Sequence, residues 1–170
     1  MSVVVVKNYK DKIVIGSDNI SIRGITQSKK EFSKLQRVSK DIIIGSVGAK
    51  AIGALLRQFA KNHRPLVNNC DGILDFLNEF IVWKKKKLDD SKDLSNNAFI
   101  LCFKGKVYMI EGGSFLVDEI NTNEYEAIGA GMDYSLSALY LGHTVRKAVE
   151  VACELTIYCE KPITIFEMKK

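Results

Sequence analysis

Apolar and polar positions change their period several times along this chain, and each change marks a new element. Val3 to Lys7 is a β-branched run and predicts a strand. Asn8 to Lys12 is a polar turn, and Ile13 to Ser17 is a second apolar run. Residues 2–17 therefore predict an antiparallel hairpin. Asp18 follows where strand gives way to loop, and Gly24 marks a further turn. Residues 34–38 and 41–46 predict two more strands, joined at Ser39 and Lys40. From Gly48 the period turns helical. Ile52, Leu55, Leu56, Phe59 and Ala60 recur at spacings of three and four and make one apolar face, which Pro65 ends. A second helix starts near Asp71 as N-cap, carries Ile73, Leu77, Phe80 and Trp83 on its inner side, and runs out in lysines. The polar residues 89–97 predict a loop between two halves.

The second half repeats the order of the first. Ala98 to Phe103 and Val107 to Ile110 predict paired strands around a Lys104-Gly105 turn. Residues 115–120 and 126–128 predict short strands. Asp133 is placed to cap a helix through Leu141, with Gly142 as the residue just past its end. Thr144 is placed to cap the next helix, in which Val145, Ala148, Val149 and Ala152 share a face. Thr156 to Cys159 and Ile163 to Phe166 predict closing strands. The predicted order is strands, two helices, strands, two helices, strands. Two antiparallel sheets packed face to face, with a helix layer outside each, would cover every apolar face. The expected fold class is thus α+β, a four-layer αββα sandwich forming a single domain over residues 1–170.

Composition narrows the function classes. The chain has 170 residues, is 46% hydrophobic and holds 2 prolines, which suits one domain with a substantial core and excludes a disordered class. No apolar run is long enough to predict a membrane-spanning helix. The opening MSVVVVKNYKDK lacks a basic region ahead of its apolar run, so it predicts a strand and not a signal peptide, and a cytoplasmic location is expected. Cys102, Cys153 and Cys159 lie in apolar segments, and no C-x-x-C joins them to Cys70 or to each other. They predict buried, reduced thiols. His63 and His143 have no partner at i+4 and predict surface residues, so no metal and no cofactor is expected. The net charge is +5, with Lys84 to Lys87 contributing much of it. That run predicts a solvated helix end. No aromatic residues interleave with it, so no nucleic-acid partner is expected.

The candidate chemistry sits in four separate places. Ser2 follows the initiator methionine, Asp18 ends the second strand, Lys34 opens another in EFSKLQRV, and Gly48 lies between strand and helix in IIIGSVGAKA. A serine hydroxyl needs a base to become a nucleophile. Removal of Met1, expected because serine is small, would give Ser2 a free α-amine with a pKa of about 7.7–8, close to the working pH. A buried Lys34 ammonium would favour the alkoxide and lower the amine pKa. Asp18 would hold that lysine charged and oriented. Backbone N–H groups near Gly48 could receive the oxyanion.

SVVVVKNYKDKIVIGSDNISIRG resembles the opening of the proteasome β-subunit superfamily, and within it the HslV-like proteases. IIIGSVGAKAIGALL resembles that family's strand, glycine and first helix, NNAFILCFKGKVYMIEGG its central hairpin, and EAIGAGMDYSLSALYLG its IGSG segment. The resemblance covers nearly the whole chain and is weakest at residues 62–96. It implies Ser2 in place of the N-terminal threonine, Asp18 and Lys34 on the catalytic aspartate and lysine, and Gly48 on the oxyanion glycine. The family's late aspartate falls on Glu154 in VACELTIYC, one methylene longer. Ser21 and Ser46 fall where the family lines its specificity pocket, and their small size implies room for a large apolar side chain.

Two departures bear on rate. Serine lacks the β-branch that restricts χ1 in threonine, and Ala130 replaces the serine of IGSG. With Ser2 directly after Met1, the resemblance implies an HslV-like start without a propeptide, unlike most proteasome β-subunits. The resemblance implies a peptidase subunit in a self-associated ring or stacked rings, acting on protein or peptide substrates with an ATP-dependent unfoldase as partner. A catalytically silent ring or scaffold subunit and an N-terminal-serine amidase are the alternatives.

Overall fold

The computed structural model describes residues 2–23, 26–28, 33–87 and 94–170. The expected turn at Gly24, Met1, and residues 89–93 of the expected polar loop lie outside the described residues. The strands are β1 (Val4–Asn8), β2 (Lys12–Ser17), β3 (Ser21–Arg23), β4 (Thr26–Ser28), β5 (Leu35–Ser39), β6 (Ile42–Val47), β7 (Ala98–Phe103), β8 (Lys106–Glu111), β9 (Leu116–Glu119), β10 (Tyr125–Ile128) and β11 (Thr164–Lys169). Helices α1 (Lys50–Ala60) and α2 (Cys70–Lys85) follow β6, and α3 (Met132–Tyr140) and α4 (Val145–Leu155) follow β10.

One sheet has the order β10-β1-β2-β11 and the other β5-β6-β7-β8-β9, and every pairing is antiparallel. Val4 and Val6 face Ile43, Ile100 and Cys102 between the sheets. Val3 and Val5 face Ala148, Val149 and Ala152 of α4. This is why the VVVV run carries no polar alternation: the strand is covered on both faces. The IIIG run of β6 behaves alike, with Ile42 and Ile44 packed against Ile52, Phe59 and Phe80 of α1 and α2. Each fully buried side chain of this size contributes about 1.5–3 kcal/mol. The layers are thus α1 and α2, a five-stranded sheet, a four-stranded sheet, and α3 and α4: the expected αββα sandwich.

Several local expectations are corrected. Helix α1 starts at Lys50 behind Ala49, which offers no side-chain cap, and ends at Ala60, well before Pro65. Helix α2 is capped by Asn69, whose side chain accepts from Gly72 N–H at 2.9 Å, and not by Asp71. Gly131 and not Asp133 occupies the N-cap of α3, whose far end does turn at Gly142 as expected: His143 N–H donates to Ala138 O and Gly142 N–H to Leu139 O. Residues 156–159 form no strand. The chain turns there, leaving Ile157 and Tyr158 exposed, and β11 alone fills the place beside β2. The short β3–β4 ribbon escaped the sequence because three polar-rich residues per strand show no period. Lys84 is buried while Lys85 to Lys87 are exposed, because helical spacing puts it on the face of Leu77 and Phe80. His63 is half-buried, stacked on Phe59 with ring centroids 4.0 Å apart.

Candidate active site

The strand register gathers four chain segments at one end of the sandwich. Ser2 lies just ahead of β1 there, Asp18 follows the end of β2, Lys34 precedes β5, and Gly48 follows the end of β6. Asp18 is fully buried, and Lys34 and Ser2 are almost so. A buried carboxylate needs partners, and Asp18 has three. Its Oδ1 accepts from Val3 N–H at 2.8 Å, and its Oδ2 accepts from Ile20 N–H at 3.2 Å and from Lys34 Nζ at 2.6 Å. Lys34 Nζ also donates to the Asp18 carbonyl at 3.3 Å. Burial pulls the Lys34 pKa below the ordinary lysine value, and the Asp18 carboxylate opposes that fall.

Both polar groups of the Ser2–Val3 peptide are tied. Its N–H goes to Asp18, and its C=O accepts from Gly131 N–H at 3.3 Å. Ser2 is therefore held by the same carboxylate that holds Lys34. Gly129 closes the other side. Its φ of +98° and the Ser2 carbonyl, 2.3 Å from where a Cβ would stand, both demand glycine. Gly48 has a φ of +100°, and a Cβ there would lie 2.1 Å from Asn96 O.

The remaining expected residues fall as follows. Ser21 is buried at the start of β3. Ser46 is buried at the end of β6, and its Oγ accepts from Arg57 Nη1 at 2.9 Å. Glu154 is not brought to the pair. Its side chain is 68% exposed on α4 and binds Lys161 Nζ at 3.0 Å. Residue 154 sits on the outward face of the amphipathic α4, beside Leu155, and its extra methylene does not turn it inward. Two thiols border the site instead. Burial pushes the Cys153 thiol up to about 12 and the Cys159 thiol upward too, the Asp18 charge adding to both. Both stay protonated at neutral pH and compete poorly as nucleophiles. Cys70, Cys102, Cys153 and Cys159 are all free. Among the described residues no cluster of three or more His, Cys, Asp or Glu side chains could hold a metal ion, and no helix is long and apolar enough to cross a membrane.

Solved structures carry this arrangement of strands and helices over the full chain. BPH of Thiobacillus denitrificans matches over 98% of this chain and 97% of its own at a TM-score of 0.83 and 19% identity. The same protein in complex with epoxomicin matches at 0.82 and 18%, with 98% of each chain covered. Eukaryotic HslV from Trypanosoma brucei matches at 0.72 and 18%, with 99% of each chain covered. The chain has the HslV fold. No protein-family model matches it, and no curated protein does.

Within the HslV fold, Arg57 and Asn97 are the residues that the sequence did not reveal. The Arg57 guanidinium is buried beside Ser46, and burial lowers its pKa. Asn97 binds the carbonyls on either side of Gly48. No spacing in the sequence marks either residue, because their partners lie on other elements.

Proposed function

We propose that this protein is an N-terminal-nucleophile peptidase subunit of the proteasome and HslV type, with Ser2 as the nucleophile once Met1 is removed. The observation that carries the proposal is the Asp18 carboxylate, which joins the Lys34 ammonium at 2.6 Å to the Val3 N–H at 2.8 Å and so ties a buried cation to the residue after the nucleophile. The fold shared with HslV and with the epoxomicin-binding BPH supports the same reading.

In this mechanism the Ser2 α-amine accepts the Oγ proton as Oγ attacks the substrate carbonyl. The Lys34 ammonium favours the developing alkoxide and keeps the α-amine pKa low. Asp18 fixes Lys34. The Gly48 N–H receives the oxyanion. Collapse of the tetrahedral adduct returns the proton to the leaving amine, and water activated by the same α-amine then hydrolyses the Ser2 ester. Ser21, Ser46 and Gly48 border the substrate side chain. Glu154 takes no direct part. The subunit works in the cytoplasm, in a ring or stacked rings that shelter the site, and an ATP-dependent unfoldase feeds it protein substrates.

The test starts with the intact mass of protein from its natural host, followed by peptide hydrolysis. Loss of one methionine and turnover that disappears in Ser2→Ala are expected. Retained Met1, or turnover equal in Ser2→Ala, would sink the proposal. Matched peptides with Leu, Arg or Glu before the scissile bond are expected to favour Leu, and a clear preference for Glu would remove the apolar pocket from the reading. Gel filtration is expected to give a large assembly; a monomer would favour the amidase alternative.

A further inference from the structure

Asn97 lies just ahead of β7 and is buried. Its Nδ2 donates to two main-chain carbonyls, Val47 O at 3.0 Å and Ala49 O at 3.3 Å. These are the carbonyls on either side of Gly48. An amide nitrogen carries two N–H donors, so this bridge uses both. Asn97 is itself anchored: its N–H donates to Leu94 O at 2.8 Å and its C=O accepts from Gly112 N–H at 2.9 Å.

Val47 O and Gly48 N–H belong to one peptide unit. In a trans peptide the C=O and N–H point in opposite directions. Tying Val47 O to Asn97 on one side therefore turns the Gly48 N–H to the other. Donation to the carbonyl also polarises the peptide and strengthens its N–H as a donor. The other side is the edge of β6 that faces the Lys34 segment, where Ser46 N–H donates to Lys34 O at 3.0 Å. Ser2 is near, since a Cβ on Gly129 would stand 3.0 Å from Val47 Cγ1 and 2.3 Å from Ser2 O. A Cβ on Gly48 would stand 2.1 Å from the Asn96 carbonyl oxygen, so the chain just ahead of Asn97 packs close against Gly48.

We infer that Asn97 is the positioning residue of the oxyanion site, aiming the Gly48 N–H by holding the carbonyl of the same peptide. This rests on the N-terminal-serine reading, in which that N–H receives the oxyanion. Asn97 touches neither substrate nor reacting atoms and acts through Gly48.

Asn97→Ala removes both donors. Asn97→Asp keeps the shape, sets carboxylate oxygens against the two carbonyls, and carries the test where the alanine variant fails to fold. Active sites are counted by covalent labelling of Ser2, and the Gly48 amide is followed by NMR. Either variant is expected to lower kcat per labelled site by roughly tenfold or more, with KM within about twofold. The Gly48 amide is expected to shift and to exchange roughly tenfold faster while that of Ile44, on the same strand, is unchanged. A lower labelled fraction with kcat per site unchanged would make Asn97 merely structural and overturn the inference, as would an unmoved Gly48 amide. If the wild type shows no Ser2-dependent turnover, the peptidase reading fails. The Gly48 amide then decides alone: its shift supports Asn97 as the anchor of this peptide, and its constancy overturns it.

Discussion

The Lys34 ammonium lies 2.6 Å from Asp18 Oδ2, with both side chains shut away from solvent. The other oxygen of the same carboxylate holds the main chain next to Ser2. An ion pair in such a place is a poor source of stability, since desolvation offsets most of its Coulomb attraction. Its value lies in geometry: one rigid carboxylate sets the positions of a cation and of a candidate nucleophile together.

Breaking the pair from one side should be costly. Lys34→Met leaves Asp18 buried without its cation and is expected to lose about 3–5 kcal/mol of stability. The Lys34→Met, Asp18→Asn double variant is expected to lose clearly less than the sum of the two single losses. A denaturant-melt double-mutant cycle checks this, and strict additivity would contradict the coupling.

The lowered Lys34 pKa has a sign that can be followed. The unfolded lysine keeps its proton up to about 10.5, whereas the folded one releases it earlier. Between the two values the unfolded chain holds the extra proton, so the Lys34 contribution to stability rises with pH there. Below that window burial of the ammonium carries its full cost. Activity that needs the charged form runs the opposite way and is expected to fall on the alkaline side below 10.5. Asp18→Asn removes the carboxylate that raises the Lys34 value, so any residual activity should lose its alkaline limb at still lower pH. A limb unmoved in Asp18→Asn would detach it from Lys34.

Gly129→Ala should separate placement of Ser2 from general stability. The new Cβ would stand 2.3 Å from the Ser2 carbonyl in a backbone with φ of +98°. A stability loss of about 1–3 kcal/mol is expected. Ser2-dependent turnover per folded molecule is expected to fall roughly tenfold or more, because a displacement of about 1 Å at the nucleophile costs far more in rate than in stability. Unchanged turnover per folded molecule would show that Ser2 does not depend on this contact.

Ser2→Thr should speed the reaction. A β-branch restricts χ1 and leaves less rotamer freedom to lose on reaching the attacking geometry. A gain of roughly two- to fivefold in kcat corresponds to about 0.5–1 kcal/mol. Steady-state kinetics on the processed enzymes measures it, and a slower threonine enzyme would point to crowding beside Gly129.

Strands and helices with a clear period were legible because their burial is one-sided or complete along a whole element. The VVVV and IIIG runs, the face of Ile52, Leu56 and Phe59, and the Lys104-Gly105 turn, with φ of +44° and +79°, needed only local physics. Ser2, Asp18, Lys34 and Gly48 were legible as residue types at family-like spacing. Their meeting at one end of the sandwich was not, because it depends on strand register and on the packing of one sheet over another. Glu154 shows the difference: the family resemblance implied an acid at the site there, yet the outward face of α4 sends it to Lys161. Asn97 shows the reverse. An asparagine closing a polar loop carries no local signal, and only the tertiary structure brings its amide, 50 residues along the chain, onto the Val47 carbonyl. Sequence determined which segments must be buried, since hydrophobic period is a local property. The tertiary structure decided which polar atoms meet, since a hydrogen bond between distant residues depends on distances that no local pattern records.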